Sequence, residues 1–174
     1  MGLTVRRLKF VDFRNYRELD LDGLGKLTVF VGPNAVGKTN IIEGIQLLTA
    51  QTSFRKPTYA QMVRQGAEFA RLDAWVSDDS RDLQLTLQLA EGKRKRLMNG
   101  KAKRAADLRG IVPSVAFTPD DLELARSASS PRRDALDALG SQLSASHHRL
   151  CSDYERALKN KNRLLKDEAP DSLI

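Results

Sequence analysis

The sequence predicts an α/β fold: the N-terminal part of a mixed sheet arranged around a glycine-bounded loop, with an antiparallel β subdomain and then the start of a helical lobe. Three observations predict it. A nearly continuous apolar run, Leu27 to Val31, leads directly into the loop Gly32 to Thr39 and then into apolar residues at helical spacing. Two alternating segments follow, with an Asn99-Gly100 pair shortly after them. From Ser130 onward, leucines recur at helical spacing among charged residues. The expected division is a first lobe over 1–117, with the β subdomain at about 68–104, and a second, helical lobe beginning at 118 and running to 174.

Taken in order, Leu3, Val5, Leu8 and Phe10 alternate but shift phase at Arg6-Arg7, which predicts a strand over Leu3 to Phe13 with a bulge at that pair. Arg17 to Leu21 alternates again, so a second strand pairs antiparallel with the first, joined through Asn15 and Tyr16. Leu27 to Val31 reads as a strand covered on both faces. Beyond Lys38, Ile41, Ile45 and Leu48 mark a helix face, and Ile42 and Leu47 widen it, so that helix is expected to be central and buried. After a polar connection at Thr52 to Thr58, the segments Ala70 to Val76 and Leu83 to Leu89 read as strands with a turn at Asp78-Asp79. Asn99-Gly100 predicts a tight hairpin turn, because both residues tolerate positive φ.

Val112 to Phe117 reads as another buried strand. Thr118 as N-cap, with Pro119 at the first helical position, then opens a helix whose Asp120 and Asp121 suit its dipole. Leu136, Leu139 and Leu143 share a face of a helix opened by Ser130-Pro131, and Leu150, Tyr154, Leu158 and Leu165 form a longer stripe after it. That last helix has no evident partner within the chain, so a truncated lobe is expected. Its Lys159, Lys161, Arg163 and Lys166 lie opposite Leu158 and Leu165 and read as a solvated face.

The chain has 174 residues, and its 29 Lys and Arg against 22 Asp and Glu give a net charge of +7. Such an excess favours a polyanionic partner, nucleic acid or an acidic surface, without choosing between them. No apolar run approaches the roughly 20 residues of a membrane span, and no leader-like stretch opens the chain, which predicts a cytoplasmic protein with no membrane partner. The single cysteine, Cys151, fits a reducing compartment and reads as structural. His147 and His148 are adjacent and cannot share a helix face, and no cysteine or acidic cluster is evident beside them, so both read as surface residues.

Gly32-Pro33-Asn34-Ala35-Val36-Gly37-Lys38-Thr39 has two glycines with four residues between them, followed by Lys and Thr, the phosphate-loop pattern. Glycines let the backbone curl until successive N–H groups point inward at phosphate oxygens, and the helix that follows adds the positive end of its dipole. Lys38 offers a point charge to the outer phosphates of ATP, and Thr39 a hydroxyl to Mg²⁺, which takes few protein ligands. All eight residues are therefore candidates for nucleotide binding, and Thr39 for the metal.

The segment Leu8-Lys9-Phe10-Val11-Asp12-Phe13-Arg14-Asn15-Tyr16, the phosphate loop, Ser53-Phe54-Arg55 and Val115-Ala116-Phe117-Thr118-Pro119-Asp120-Asp121-Leu122 stand in the order found in the RecF family. So do Arg132-Arg133 with Asp137, Asp153-Tyr154-Glu155 and Asn162-Arg163-Leu164-Leu165-Lys166. The chain resembles that family over nearly its whole length. The resemblance implies a P-loop NTPase of ABC-ATPase type, related to the heads of chromosome-structure and double-strand-break repair proteins, in which ATP closes a homodimer clamp on DNA at gaps and slow hydrolysis times release. It implies ATP and Mg²⁺ as cofactors and the RecR and RecO mediators as partners. It places Arg14 and Asn15 beside the phosphates, with a salt-bridged arginine after a strand as the alternative for Arg14, and Arg55 on a loop near nucleotide or DNA. The segment around Thr118 to Asp121 lacks the Mg²⁺-sensing glutamine of related heads, which leaves Asp120 a helix-start residue. Neither a signature segment nor a strand ending in an acidic pair occurs before Ile174, so this chain is not expected to hydrolyse ATP alone.

Lys93, Arg94, Lys95, Arg96 and Lys101, with Lys103 and Arg104, concentrate charge on the predicted hairpin. Two readings stand: salt-dependent contact with a DNA backbone, or lysines guarding a strand edge. Two rivals to the RecF-like reading remain: another ABC-type head whose chain continues into a long coiled coil, and an interaction module with a vestigial phosphate loop.

Overall fold

The computed structural model describes residues 2–119, 121–122 and 129–167. They fall into two compact units, Met1–Phe117 and Thr118–Ile174. The first unit is built on one six-stranded sheet of β1 (Thr4–Phe13), β2 (Tyr16–Leu21), β3 (Phe69–Ser77), β4 (Asp82–Ala90), β5 (Lys93–Met98) and β6 (Lys101–Lys103). Their order is β2-β1-β3-β4-β5-β6, and each neighbouring pair is antiparallel. The antiparallel sheet therefore starts at Thr4, because the alternation of β1 places Leu8 and Phe10 on the same buried face as Ala74 and Leu72 of β3.

Local chemistry sets the joints. The register of β1 on β3 slips between Val5 and Arg7, the bulge expected from the phase shift there. The β1–β2 turn consists of Arg14 and Asn15, with Arg14 at φ 56°, and Tyr16 already pairs with Phe13. Asn99 and Gly100 both take positive φ, 50° and 75°, which matches the right-handed twist of the β5–β6 arms. Asp78 accepts hydrogen bonds from the Ser80 amide and the Arg81 guanidinium, closing the β3–β4 turn.

One helix, α1 (Lys38–Thr49), lies on the apolar face of the sheet, and two short helices, α2 (Tyr59–Met62) and α3 (Ala105–Leu108), punctuate the connections. Ile41, Leu47 and Leu48 of α1 join Leu8, Phe10, Leu72, Leu85, Leu87 and Leu89 in the core. Gly44 is where the helix touches the sheet: a Cβ there would run into the Phe10 ring and lie 3.2 Å from a Leu72 methyl. Ile42, expected to be covered, is 40% exposed, so α1 buries one face only.

Two expected strands do not form. Leu27 lies in a bend and residues 28–31 are irregular; Thr28 and Phe30 line one cavity with Ile42 and Ile45, but Leu27 and Val31 are 86% and 90% exposed. Val112 is buried, whereas Val115 and Phe117 face solvent. An apolar run becomes a strand only against a hydrogen-bonding neighbour, and among the described residues neither segment has one in a ladder.

In the second unit, Thr118 donates its amide and hydroxyl to the Asp121 carboxylate, and Pro119, Asp121 and Leu122 take 3₁₀-helical geometry at the expected helix start. Asp120 lies outside the described residues. The helices α4 (Ser129–Leu143) and α5 (Ala145–Asp167) pack on each other through a short joint at Ser144. Leu136, Leu143, Leu150, Tyr154 and Leu165 all remain exposed, along with the basic residues Lys159, Lys161, Arg163 and Lys166. No helix among the described residues is long and apolar enough to cross a membrane.

Candidate nucleotide-binding site

The loop Gly32 to Val36 is exposed at the entrance to α1, and Gly37 is buried beneath it as the N-cap of the helix. Gly37 adopts φ 113°, a conformation only glycine takes without strain. A Cβ there would also stand 2.6 Å from the Tyr16 hydroxyl and 2.8 Å from Asn15 Oδ1. The second bend of the loop falls on Ala35, at φ 64°, and not on Gly32. Gly32 instead allows close packing, since its Cβ would meet a Val36 methyl at 3.3 Å.

The Lys38 ammonium folds back over the loop and donates to the carbonyls of Gly32 and Pro33, each at 2.7 Å. Thr39 is exposed in the first turn of α1, which carries no acidic residue, so the positive end of that helix is uncompensated by its own side chains. Asn15 braces the loop from below: its Nδ2 donates to the Val36 carbonyl at 3.0 Å and its Oδ1 accepts from Asn40 at 2.8 Å. Tyr16 completes that floor with its hydroxyl under Gly37, and burial raises the pKa of its phenol. The structure thus brings Asn15 and the loop together.

Arg14 has a different set of contacts. Its guanidinium makes a two-pronged ion pair with Glu43, at 2.8 and 2.6 Å, and donates to the Gln61 carbonyl at 2.6 Å. Glu43 is fully buried and also accepts from the Ser53 hydroxyl at 2.6 Å, with Arg55 3.5 Å away. Arg55 donates to Asn40 at 2.8 Å and lies over the Phe54 ring. The β1–β2 turn, α1 and the Ser53 segment are therefore fastened by one buried carboxylate. Glu43, Ser53 and Asn40 were not singled out as site residues from sequence. The available signal was a glutamate inside the apolar register of α1, between Ile41 and Ile45.

The basic hairpin divides between the two faces of the sheet. Arg94 and Arg96 lie opposite the buried Leu89 and Leu87, on the α1 side, and Lys101 shares that side through its pairing with Met98. Lys93 and Lys95 alternate onto the other face. Arg96 is only partly exposed: it donates to Gln51 Oε1 at 2.7 Å, and burial followed by repulsion from Arg94 lowers its pKa. It braces the end of α1, while the lysines stand free in solvent.

Among the described residues, His147 has both an acidic and a thiol neighbour, contrary to its reading as an isolated surface histidine. Cys151 is its neighbour one turn further along α5, a proximity legible in their spacing of four, whereas Asp137 approaches from α4, a proximity that the sequence separation of ten hides. Cys151 accordingly belongs to a ligand-bearing cluster, which sequence reasoning had excluded.

Comparison with known proteins fixes the lineage. An AAA domain model matches residues 7–167. The DNA replication and repair protein RecF of Acidothermus cellulolyticus is 39% identical over 171 residues, 97% of this chain and 46% of that protein. RecF of Streptomyces avermitilis is 40% identical over 169 residues, 96% of this chain and 45% of its own length. The chain belongs to the RecF family of AAA domains. It spans under half the length of these RecF relatives. A solved structure of the recombination mediator protein RecF with ATP, from the RecFOR pathway, superposes with a TM-score of 0.84 at 26% identity, covering 99% of this chain and 48% of that one. A structure described for ATP-driven dimerization and DNA-stimulated activation of SMC ATPases shares the fold, with a TM-score of 0.63 at 16% identity over 80% of this chain and 99% of that one. The P-loop NTPase fold of the RecF family is thus the architecture that carries the loop.

Proposed function

We propose that this chain is the nucleotide-gripping lobe of a RecF-type protein of DNA replication and repair, acting in the cytoplasm as an ATP-dependent DNA-binding recombination mediator. The observation that carries this reading is the loop itself: Gly37 buried against Tyr16 and Asn15, with Lys38 held above the loop by main-chain carbonyls. Those contacts are ones an anion can exchange for its own oxygens, and the residues present fit ATP on that ground. Gly32 and Asn34 to Gly37 would supply amides to the phosphates, Lys38 the balancing charge, and Thr39 a hydroxyl for Mg²⁺. Bound ATP would supply the triphosphate charge that orders the loop.

Asn15 positions the loop through Val36. The role that fits Arg14 in this geometry is to hold the β1–β2 turn on Glu43, so that Asn15 stays beneath the phosphates, and not to contact them itself. Arg55, Lys93, Arg94, Lys95, Arg96 and Lys101 are the proposed DNA contacts, all exposed except the half-buried Arg96. The ATP-closed homodimer clamp at gapped DNA, with RecR and RecO as partners, belongs to the same proposal, and ATP hydrolysis to a site completed by further segments. Support comes from the similarity to RecF proteins and to a RecF–ATP structure.

The test is fluorescence titration of the chain with a labelled ATP analogue and Mg²⁺, beside anisotropy on gapped duplex DNA with and without ATP. Saturable analogue binding that is lost in Lys38→Ala, with an unchanged circular dichroism spectrum, is expected. Analogue binding unaffected by Lys38→Ala, or DNA binding indifferent to both ATP and that substitution, would count against the proposal.

A further inference from the structure

We propose that Asp137, His147 and Cys151 form a zinc site that clips α5 to α4. Asp137 stands on α4, while His147 and Cys151 are four residues apart on α5 and so share one face of that helix. His147 Nε2 lies 3.3 Å from Asp137 Oδ1 and 3.4 Å from Cys151 Sγ, and the three ligand atoms all lie within 4.8 Å of one another. A tetrahedral zinc with bonds of about 2.0 Å to nitrogen and oxygen and about 2.3 Å to sulfur sets its ligands about 3.3 Å apart for N···O and about 3.5 Å apart for S···N or S···O. His147 Nε2 already stands at about those spacings from both partners, and the third pair lies within 4.8 Å, so an ion would enter by small side-chain adjustments.

Two independent features hold the ring in place. Gly140 lies inside α4, where glycine costs roughly 1 kcal/mol relative to alanine. A Cβ there would stand 2.7 Å from both Cδ2 and Nε2 of His147, so the missing side chain is what admits the imidazole. Ser144 fixes the backbone: its amide donates to the Gly140 carbonyl at 2.9 Å to close α4, and its hydroxyl accepts from the His147 amide at 3.2 Å to cap α5. Both features aim His147 at Asp137 and Cys151, and neither is needed by the nucleotide loop in the other unit.

The ligand set selects the metal. A thiolate with an imidazole disfavours Mg²⁺ and Ca²⁺ and suits zinc or cobalt. Side chains of Asp137 and His147 are 43% and 40% exposed, which leaves room for water as the fourth ligand. Burial and the Asp137 charge hold the free Cys151 thiol above its ordinary pKa, so zinc would displace one proton from sulfur to the solvent as the Zn–S bond forms. An ion here would add a cross-link to a helix pair that leaves Leu136, Leu143 and Leu150 exposed.

Cobalt reports on the site directly. The untagged chain, reduced and stripped with chelator, is titrated with Co²⁺ alone. The expected result is one equivalent bound, with a thiolate-to-cobalt charge-transfer band and the intense visible bands of four-coordinate cobalt, displaced one for one by Zn²⁺. The charge-transfer band should vanish in Cys151→Ser, and cobalt affinity should fall at least about tenfold in His147→Ala and in Asp137→Asn. Gly140→Ala should weaken binding without removing a ligand, and circular dichroism verifies that each variant keeps its helices. Absence of a charge-transfer band at excess cobalt would overturn the proposal, as would a band and affinity that survive in both His147→Ala and Asp137→Asn.

Discussion

Glu43→Ala probes the joint on which the loop rests. In the native chain this carboxylate is fully buried and accepts three short hydrogen bonds, two from Arg14 and one from Ser53. The substitution leaves the Arg14 guanidinium, itself only 15% exposed, with the Gln61 carbonyl and no counter-charge in contact apart from water. Breaking a buried pair from one side costs about 3–5 kcal/mol. Against a total stability of about 5–15 kcal/mol, that leaves a folded but weakened protein. With a urea slope of about 2 kcal/mol per molar, the unfolding midpoint should drop by about 2 M. Replacing both partners, as in Arg14→Met with Glu43→Leu, removes the stranded charge and should recover most of the loss. Equilibrium urea unfolding followed by tryptophan fluorescence reads the effect from Trp75. A midpoint shift below about 0.5 M in Glu43→Ala, or a double variant no better than the single one, would refute the reasoning.

Other perturbations separate the remaining parts. Gly44→Ala pushes a methyl into the Phe10 ring and should cost about 1–3 kcal/mol in urea unfolding, with partial relief when Phe10→Leu is added. Gly37→Ala combines a left-handed φ with contact on the Tyr16 hydroxyl, so it should lower ATP-analogue affinity more than it lowers stability, as titration and urea unfolding of one sample would show. The Arg81 guanidinium and the Ser80 amide hold the Asp78 carboxyl well below its usual range. Its folded pKa is depressed, so its contribution is complete above the ordinary carboxylate value of 3.8 and is lost as pH falls below it; Asp78→Asn should flatten the acid limb of stability below about pH 4 in a thermal-melt series. Lys93→Ala with Lys95→Ala should reduce the slope of log affinity for DNA against log salt by up to about 2, while Arg96→Ala should also lower stability through the lost Gln51 contact. An unchanged slope would assign the lysines to edge protection.

What could be read from the residues alone followed from local rules. The β1 bulge, the Asn99-Gly100 hairpin, the α1 start and the β3–β4 pair each depend on neighbours a few residues away, and all are present. Leu27 to Val31 and Val112 to Phe117 failed as strands because ladder formation depends on a partner that hydrophobicity does not report. The loop was visible as a pattern, but its second bend on Ala35 was not, since alanine carries no preference for positive φ. The burial of Glu43 was concealed because a charged residue in a helix is ordinarily solvated. Only the fold brings the β1–β2 turn and Ser53 to it. The spacing of four between His147 and Cys151 is legible on a helix, but Asp137 reaches them only when α4 and α5 pack.

The direct measurement is a nitrogen–proton correlation spectrum of the isotopically labelled chain titrated with Mg²⁺ and ATP. The account predicts saturable shifts centred on the amides of Gly32 and Asn34 to Thr39, with smaller ones at Asn15 and Tyr16, and their disappearance in Lys38→Ala. Loop amides that stay fixed at millimolar ATP, or that shift identically in Lys38→Ala, would contradict it.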